Sequence, residues 1–111
     1  MREEYCDVVI VGAGKEGKGT FGDIFYENKW NITFIDKDEN VINSLNEKNS
    51  YIVEALYENY NEKHIIDHYH AYLIDDYTNS YESILNADVI VLALYPEDIK
   101  EALSKLKFSL Q

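Results

Sequence analysis

Gly12, Gly14 and Gly17, within Gly12-Ala13-Gly14-Lys15-Glu16-Gly17, have the spacing of a backbone turn that can hold a pyrophosphate. The first glycine permits the tight turn, the second lets a phosphate approach the main chain, and the third lets the next helix pack closely on the preceding strand. The helix opened by such a turn offers the anion unpaired N–H donors and a partial positive charge. Taken alone, three spaced glycines are a weak signal, but their setting strengthens it. Val8-Val9-Ile10-Val11 comes just before, a helical pattern follows, and Asp36 ends the next strand-like run. The separation is close to the roughly 20 residues expected of a carboxylate that accepts hydrogen bonds from an adenosine ribose. The same carboxylate would repel a 2′-phosphate, so NAD is the expected cofactor, while adjacent Lys37 keeps NADP open.

These residues need a frame. Val8–Val11 is a β-branched run suited to a strand buried on both faces of a parallel sheet. From Lys15 to about Asn28, Phe21, Ile24 and Phe25 recur at helical spacing and predict one apolar stripe. Gly17, Gly19 and Gly22 lie in that stretch, and each glycine in a helix interior costs about 1 kcal/mol relative to alanine. Close backbone approach is the compensating reason: Gly17 against the first strand, Gly19 and Gly22 toward a ligand or a neighbouring element. Asn31–Ile35 predicts the second strand, and Asp38 caps a helix carrying Val41, Ile42 and Leu45 to about Lys48.

Tyr51–Leu56 reads as a strand, Glu58–Glu62 as a turn, and His64–Ile74 as extended chain. The expectation is a hairpin inserted before a third parallel strand near Ala71–Ile74. Tyr81–Leu85 predicts a short helix, Val89–Leu94 a central strand, and Pro96 the start of a final helix with Ile99, Ala102, Leu103 and Leu106 as its buried stripe. The fold class is therefore α/β, a Rossmann-like parallel sheet with flanking helices and an inserted β-hairpin. Residues 1–111 are read as a single dinucleotide-binding domain.

Composition narrows the partners. The net charge is −11, with 21 acidic against 10 basic residues, and that field opposes a nucleic-acid backbone. A dinucleotide is still admissible, because main-chain donors can bind its pyrophosphate without a basic surface. No apolar run approaches the length of a membrane helix, and Met1-Arg2-Glu3-Glu4 lacks the pattern of a signal peptide, so a cytoplasmic location is expected. Cys6 is the only cysteine, which excludes an internal disulfide; it is read as an inert strand residue.

The stretch Gly12-Ala13-Gly14-Lys15-Glu16-Gly17-Lys18-Gly19-Thr20-Phe21-Gly22, with Phe34-Ile35-Asp36 and Asn49-Ser50-Tyr51-Ile52-Val53, resembles the amino-terminal domain of the mannitol-1-phosphate 5-dehydrogenase family and its polyol dehydrogenase relatives. The likeness spans nearly the whole chain. It implies interconversion of mannitol 1-phosphate and fructose 6-phosphate by hydride exchange with NAD. It also implies cofactor positions at Gly12, Ala13, Gly14, Gly17, Gly19 and Asp36. Lys15, Glu16 and Lys18 belong to the same turn but depart from the family's Asn-Ile and Arg, and Tyr95 stands where a small residue is usual. Glu16 would face the pyrophosphate and weaken cofactor binding.

The family's Lys-x5-Asn-x2-His signature has no counterpart here. Lys37-x5-Asn43 is a chance near match with Asn46 in the histidine position, so no catalytic residue is assigned. The expectation is a cofactor-binding domain with little or no turnover alone, belonging to a longer enzyme or standing as a short relative, with self-association through an exposed sheet edge as a further expectation. A regulatory nucleotide-sensing module is the alternative.

Other constellations are weaker. His68 and His70 would share one face of a strand, and His64 and His68 one face of a helix; the two requirements exclude each other, so no metal site is expected. The tyrosines between Tyr51 and Tyr81 are read as hairpin cross-strand packing. Asp75-Asp76 is read as a solvated turn. Tyr95 and Pro96 lie at the carboxyl end of a strand, where open α/β sheets hold ligands, so Tyr95 joins the candidate cofactor contacts.

Overall fold

Four parallel strands make the central sheet: β1 (Asp7–Val11), β2 (Asn31–Asp36), β5 (His70–Leu73) and β6 (Val89–Leu92), in the order β5-β2-β1-β6. The computed structural model describes residues 5–106, so the Met1–Glu4 stretch weighed above lies outside the described residues. The hairpin β3 (Tyr51–Leu56) and β4 (Asn61–Ile66) is a separate antiparallel pair inserted before β5, as the pattern predicts. The remaining elements are α1 (Gly22–Glu27), α2 (Glu39–Lys48), α3 (Tyr77–Asn86) and α4 (Pro96–Leu106).

Alternation along β1 and β2 divides the core into two layers. Val8, Ile10, Ile32 and Phe34 point to one face, where they meet Ile42 and Leu45 of α2. Val9, Val11 and Ile35 point to the other, against Ile84 of α3 and Ala102 and Leu106 of α4. β1 therefore has no solvated face, which is why its sequence is a continuous apolar run. Caps fix the helix ends. The Asp38 side chain accepts from the Asn40 and Val41 N–H groups, an arrangement contributing about 1 kcal/mol, and Asn49 closes α2 at φ 53°, in the left-handed region.

Several expectations are corrected. The continuous helix over Lys15–Asn28 is interrupted: Glu16–Phe21 forms a wide turn, and the Gly22 N–H bonds to the Gly17 carbonyl five residues back. A π-type insertion of this kind shifts the helical faces, so the spacing that groups Ile24 with Phe21 and Phe25 fails and Ile24 is exposed. α3 starts at Tyr77, four residues ahead of the expected Tyr81, because Asp76 caps it by accepting the Asn79 N–H. Asp76 thus has a structural role, and Asp75 pairs with Lys105 at 3.1 Å.

The strand expected over Val89–Leu94 ends at Leu92 and lies at the sheet edge instead of its centre, leaving Val89 and Ile90 38% and 40% exposed. Leu103 is exposed, since α4 covers the sheet through Ala102 and Leu106. Cys6 is exposed and precedes β1 rather than packing in it. Of the tyrosines, Tyr57 and Tyr60 stack beside the hairpin turn, whereas Tyr51 and Tyr69 leave the hairpin pattern and pack edge-on against buried Phe34.

Candidate functional site

The turn after β1 is drawn tight by its neighbours. The Gly12 N–H bonds to the Ile35 carbonyl at 2.7 Å, and Gly12 adopts φ 108°, a conformation other residues rarely take. A Cβ on Gly12 would overlap the Ala93 carbonyl, and one on Gly17 would overlap the Gly12 carbonyl. Both glycines are therefore required by close main-chain approach. Gly14 differs: a Cβ there would meet nothing within 4 Å, so its open side faces free space. No side chain caps the wide turn that begins at Glu16.

That space is a cleft of about 540 Å³ at the carboxyl ends of β1, β2 and β6. Its walls include Gly12, Gly14, Lys15, Glu16, Asp36 and Tyr95. Cleft volumes of roughly 300–1,000 Å³ are usual for small-molecule and cofactor sites. Asp36 occupies the rim, with Oδ2 accepting the Ala13 N–H at 2.7 Å and Oδ1 accepting the Asp38 N–H at 2.8 Å. Lys37 turns toward α4, where its Nζ lies 3.5 Å from Asp98 and 3.9 Å from Glu101. Tyr95 is 73% exposed at the cleft mouth.

Of the ten candidate positions, Gly12, Gly14, Lys15, Glu16, Asp36 and Tyr95 converge on this cleft, and Ala13 and Gly17 are buried in the turn beneath it. Lys18 and Gly19 do not line it. Lys18 belongs to the hairpin side: its carbonyl accepts the Tyr51 hydroxyl at 2.9 Å, and its Nζ lies 5.8 Å from the Tyr51 ring centroid. Gly19 has open space where a Cβ would be. The neighbouring element expected at Gly22 is the Tyr51 hydroxyl, which a Cβ would overlap. Burial raises the Tyr51 pKa, with Tyr69 and Asp23 adding to the shift, so the hydroxyl stays a donor.

Sequence reasoning missed a second cluster, because it compared the histidines with one another. His64 meets Asp23 and Glu27 of α1, and Glu62 beside it on β4. Hydrogen bonds to Glu62 and Asp23 raise the His64 pKa above its ordinary value. The signal was the acidic pair at i and i+4 on α1, but pairing it with His64 required knowing how the hairpin folds back.

The sequence pattern described as the mannitol dehydrogenase Rossmann domain matches residues 6–110. Mannitol-1-phosphate 5-dehydrogenase of Thermoanaerobacter pseudethanolicus is 31% identical over 99 residues, covering 89% of this chain and 25% of that protein. Its namesake from Lactiplantibacillus plantarum is 33% identical over 94 residues, covering 83% and 24%. The Streptococcus mutans protein of that name is 46% identical over 46 residues, covering 41% and 12%. The chain spans about a quarter of the length of the first two. Among the described residues, no helix is long and apolar enough to cross a membrane.

Proposed function

The chain belongs to the mannitol dehydrogenase family through its Rossmann domain, and from that premise we propose that it holds NAD in the glycine-turn cleft, as the cofactor-binding part of a polyol or sugar-phosphate dehydrogenase. The observation carrying this reading is the convergence of Gly14, the start of the wide turn and Asp36 on one cleft. The residues fit the group: the side of Gly14 that a Cβ would fill is open, and the carboxylate at the end of β2 retains acceptor capacity for ribose hydroxyls. When bound, NAD supplies the acceptor for a hydride.

The chain's own residues bind and orient the cofactor. Main-chain N–H groups from Gly14 onward face the pyrophosphate, Lys15 adds a positive charge, and Glu16 opposes it. Asp36 selects the unphosphorylated ribose, and pairing of Lys37 with Asp98 and Glu101 draws its charge away from any 2′-phosphate. Tyr95 contributes a wall toward the nicotinamide end. Residues 1–111 act as one cofactor domain. A further domain supplies the substrate pocket and the base, and the edge of β6, which has no second strand partner among the described residues, is where the sheet would continue or a second copy would associate. The family membership favours this dehydrogenase reading over a nucleotide-sensing module.

Calorimetric titration with NAD, NADP and ADP-ribose tests the proposal. NAD and ADP-ribose are expected to saturate one site, NADP to bind more weakly, and mannitol 1-phosphate with NAD to give little or no turnover. Absence of binding by all three ligands would overturn the cofactor reading; robust turnover would overturn the dependence on a further domain.

A further inference from the structure

Outside the cleft, ligating atoms concentrate where α1 meets the hairpin. His64 Nδ1 lies 2.8 Å and 3.0 Å from the two Asp23 carboxylate oxygens and 3.8 Å from Glu27 Oε1. One ligand atom each from Asp23, Glu27 and His64 lie within 4.8 Å of one another. The opposite ring nitrogen, Nε2, is 2.8 Å from Glu62 Oε1. The His64 and Asp23 side chains are only 14% and 18% exposed.

The protonation state of the ring decides what this arrangement holds: an imidazolium donates Nδ1–H to Asp23 and Nε2–H to Glu62 and satisfies both contacts. A neutral imidazole has one N–H and one lone pair. Donation of Nε2–H to Glu62 turns the Nδ1 lone pair onto acceptor oxygens, which is repulsive unless a cation sits between them. Three carboxylates converge on one imidazole, and among the described residues no lysine or arginine forms an ion pair with any of them. Protonating the ring would still leave a net negative charge there. A histidine that gives its second N–H to a carboxylate while the first nitrogen faces ligands is the usual arrangement around a protein-bound metal.

We propose that Asp23, Glu27 and His64 Nδ1 bind a divalent transition-metal ion of the zinc type, with Glu62 orienting the ring. Imidazole with two carboxylates suits zinc better than magnesium or calcium, which prefer all-oxygen sets. Bonds of about 2.0–2.1 Å in a tetrahedron hold ligand atoms roughly 3.4 Å apart, and the 2.8 Å and 3.8 Å separations from Nδ1 bracket that value. The ion joins two segments distant in sequence, stapling the hairpin to the helix that continues from the wide turn. This site is independent of the cofactor reading.

Calorimetric titration of the metal-stripped 111-residue chain with Zn²⁺ tests it, together with nitrogen NMR of the His64 ring. One saturable site is expected, with Nδ1 moving to the shift of a coordinated nitrogen and the melting temperature rising. His64→Gln and Asp23→Asn should each abolish saturable binding, and Glu62→Ala should weaken it about tenfold. An absence of saturable binding, or binding equally strong in His64→Gln, would overturn the proposal. So would a ring that keeps its Nδ1 proton in the presence of saturating Zn²⁺, a readout taken on the unsubstituted chain.

Discussion

Asp36 and Ala13, 23 positions apart, are joined by a 2.7 Å hydrogen bond from the Ala13 N–H to the Asp36 carboxylate. The residue assigned to the ribose also fastens the glycine turn from the neighbouring strand, and its other oxygen holds the Asp38 N–H at the entry to α2. Each carboxylate oxygen can accept more than one donor, so fastening and ligand recognition are compatible.

Asp36→Ala therefore should do more than remove a ligand contact. Hydrogen bonds to a charged acceptor contribute about 1.5–3 kcal/mol, and the loss here is expected near the middle of that range. Urea unfolding reads it as a lower midpoint with an unchanged slope, accompanied by weaker dinucleotide binding. An unchanged midpoint would mean that the turn does not depend on this bond.

Gly17 and Gly19 make opposite demands. Gly17→Ala places a Cβ on the Gly12 carbonyl and should destabilise the chain by about 1–3 kcal/mol, the usual cost of overpacking. Gly19→Ala enters open space on a helical turn and should be neutral or stabilising by up to about 1 kcal/mol. Thermal denaturation of the two variants side by side gives the comparison; equal destabilisation would contradict the packing described.

Tyr51→Phe removes only the hydroxyl that bonds to the Lys18 carbonyl. The ring can keep its packing on Phe34 and Tyr69, so the expected loss is about 1 kcal/mol, the net value of one such bond. Hydrogen exchange should quicken at the wide turn and not in β1. Uniform quickening would argue instead for a global effect of the ring.

What could be read from the sequence was whatever depends on local pattern. The run Val8–Val11, the glycine spacing and the position of Asp36 depend on short-range periodicity and spacing, and the structure brings the end of that run, Val11, together with Gly12, Gly14 and Asp36 on one cleft. The hairpin and the third parallel strand were legible for the same reason. The wide turn was not, because the bond from Gly22 to Gly17 forms where Gly22 meets the Tyr51 hydroxyl, a contact from outside the helix. β6 reads as central because it is apolar at every position, yet sheet order is a tertiary property and puts it at the edge. His64 and Asp23 are separated by 41 positions, so no local pattern could pair them.

Glu16 lines the cleft with a carboxylate where a pyrophosphate is expected. Exposed charge pairs interact by about 0.2–1 kcal/mol, so Glu16→Gln should tighten NAD binding by about 1.4- to fivefold. The gain should shrink as salt is raised. Calorimetry at two ionic strengths checks both parts, and weaker binding in the variant would show that Glu16 assists the ligand.

The most direct test of the central claim is an amide NMR titration of the uniformly labelled chain with NAD. The account expects saturable shifts at Gly12, Gly14, Lys15, Glu16 and Asp36, extending to Tyr95, with the Ile52 and Ile65 amides of the hairpin unmoved. Shifts confined to the hairpin, or none at saturating NAD, would contradict a cofactor site at the glycine turn.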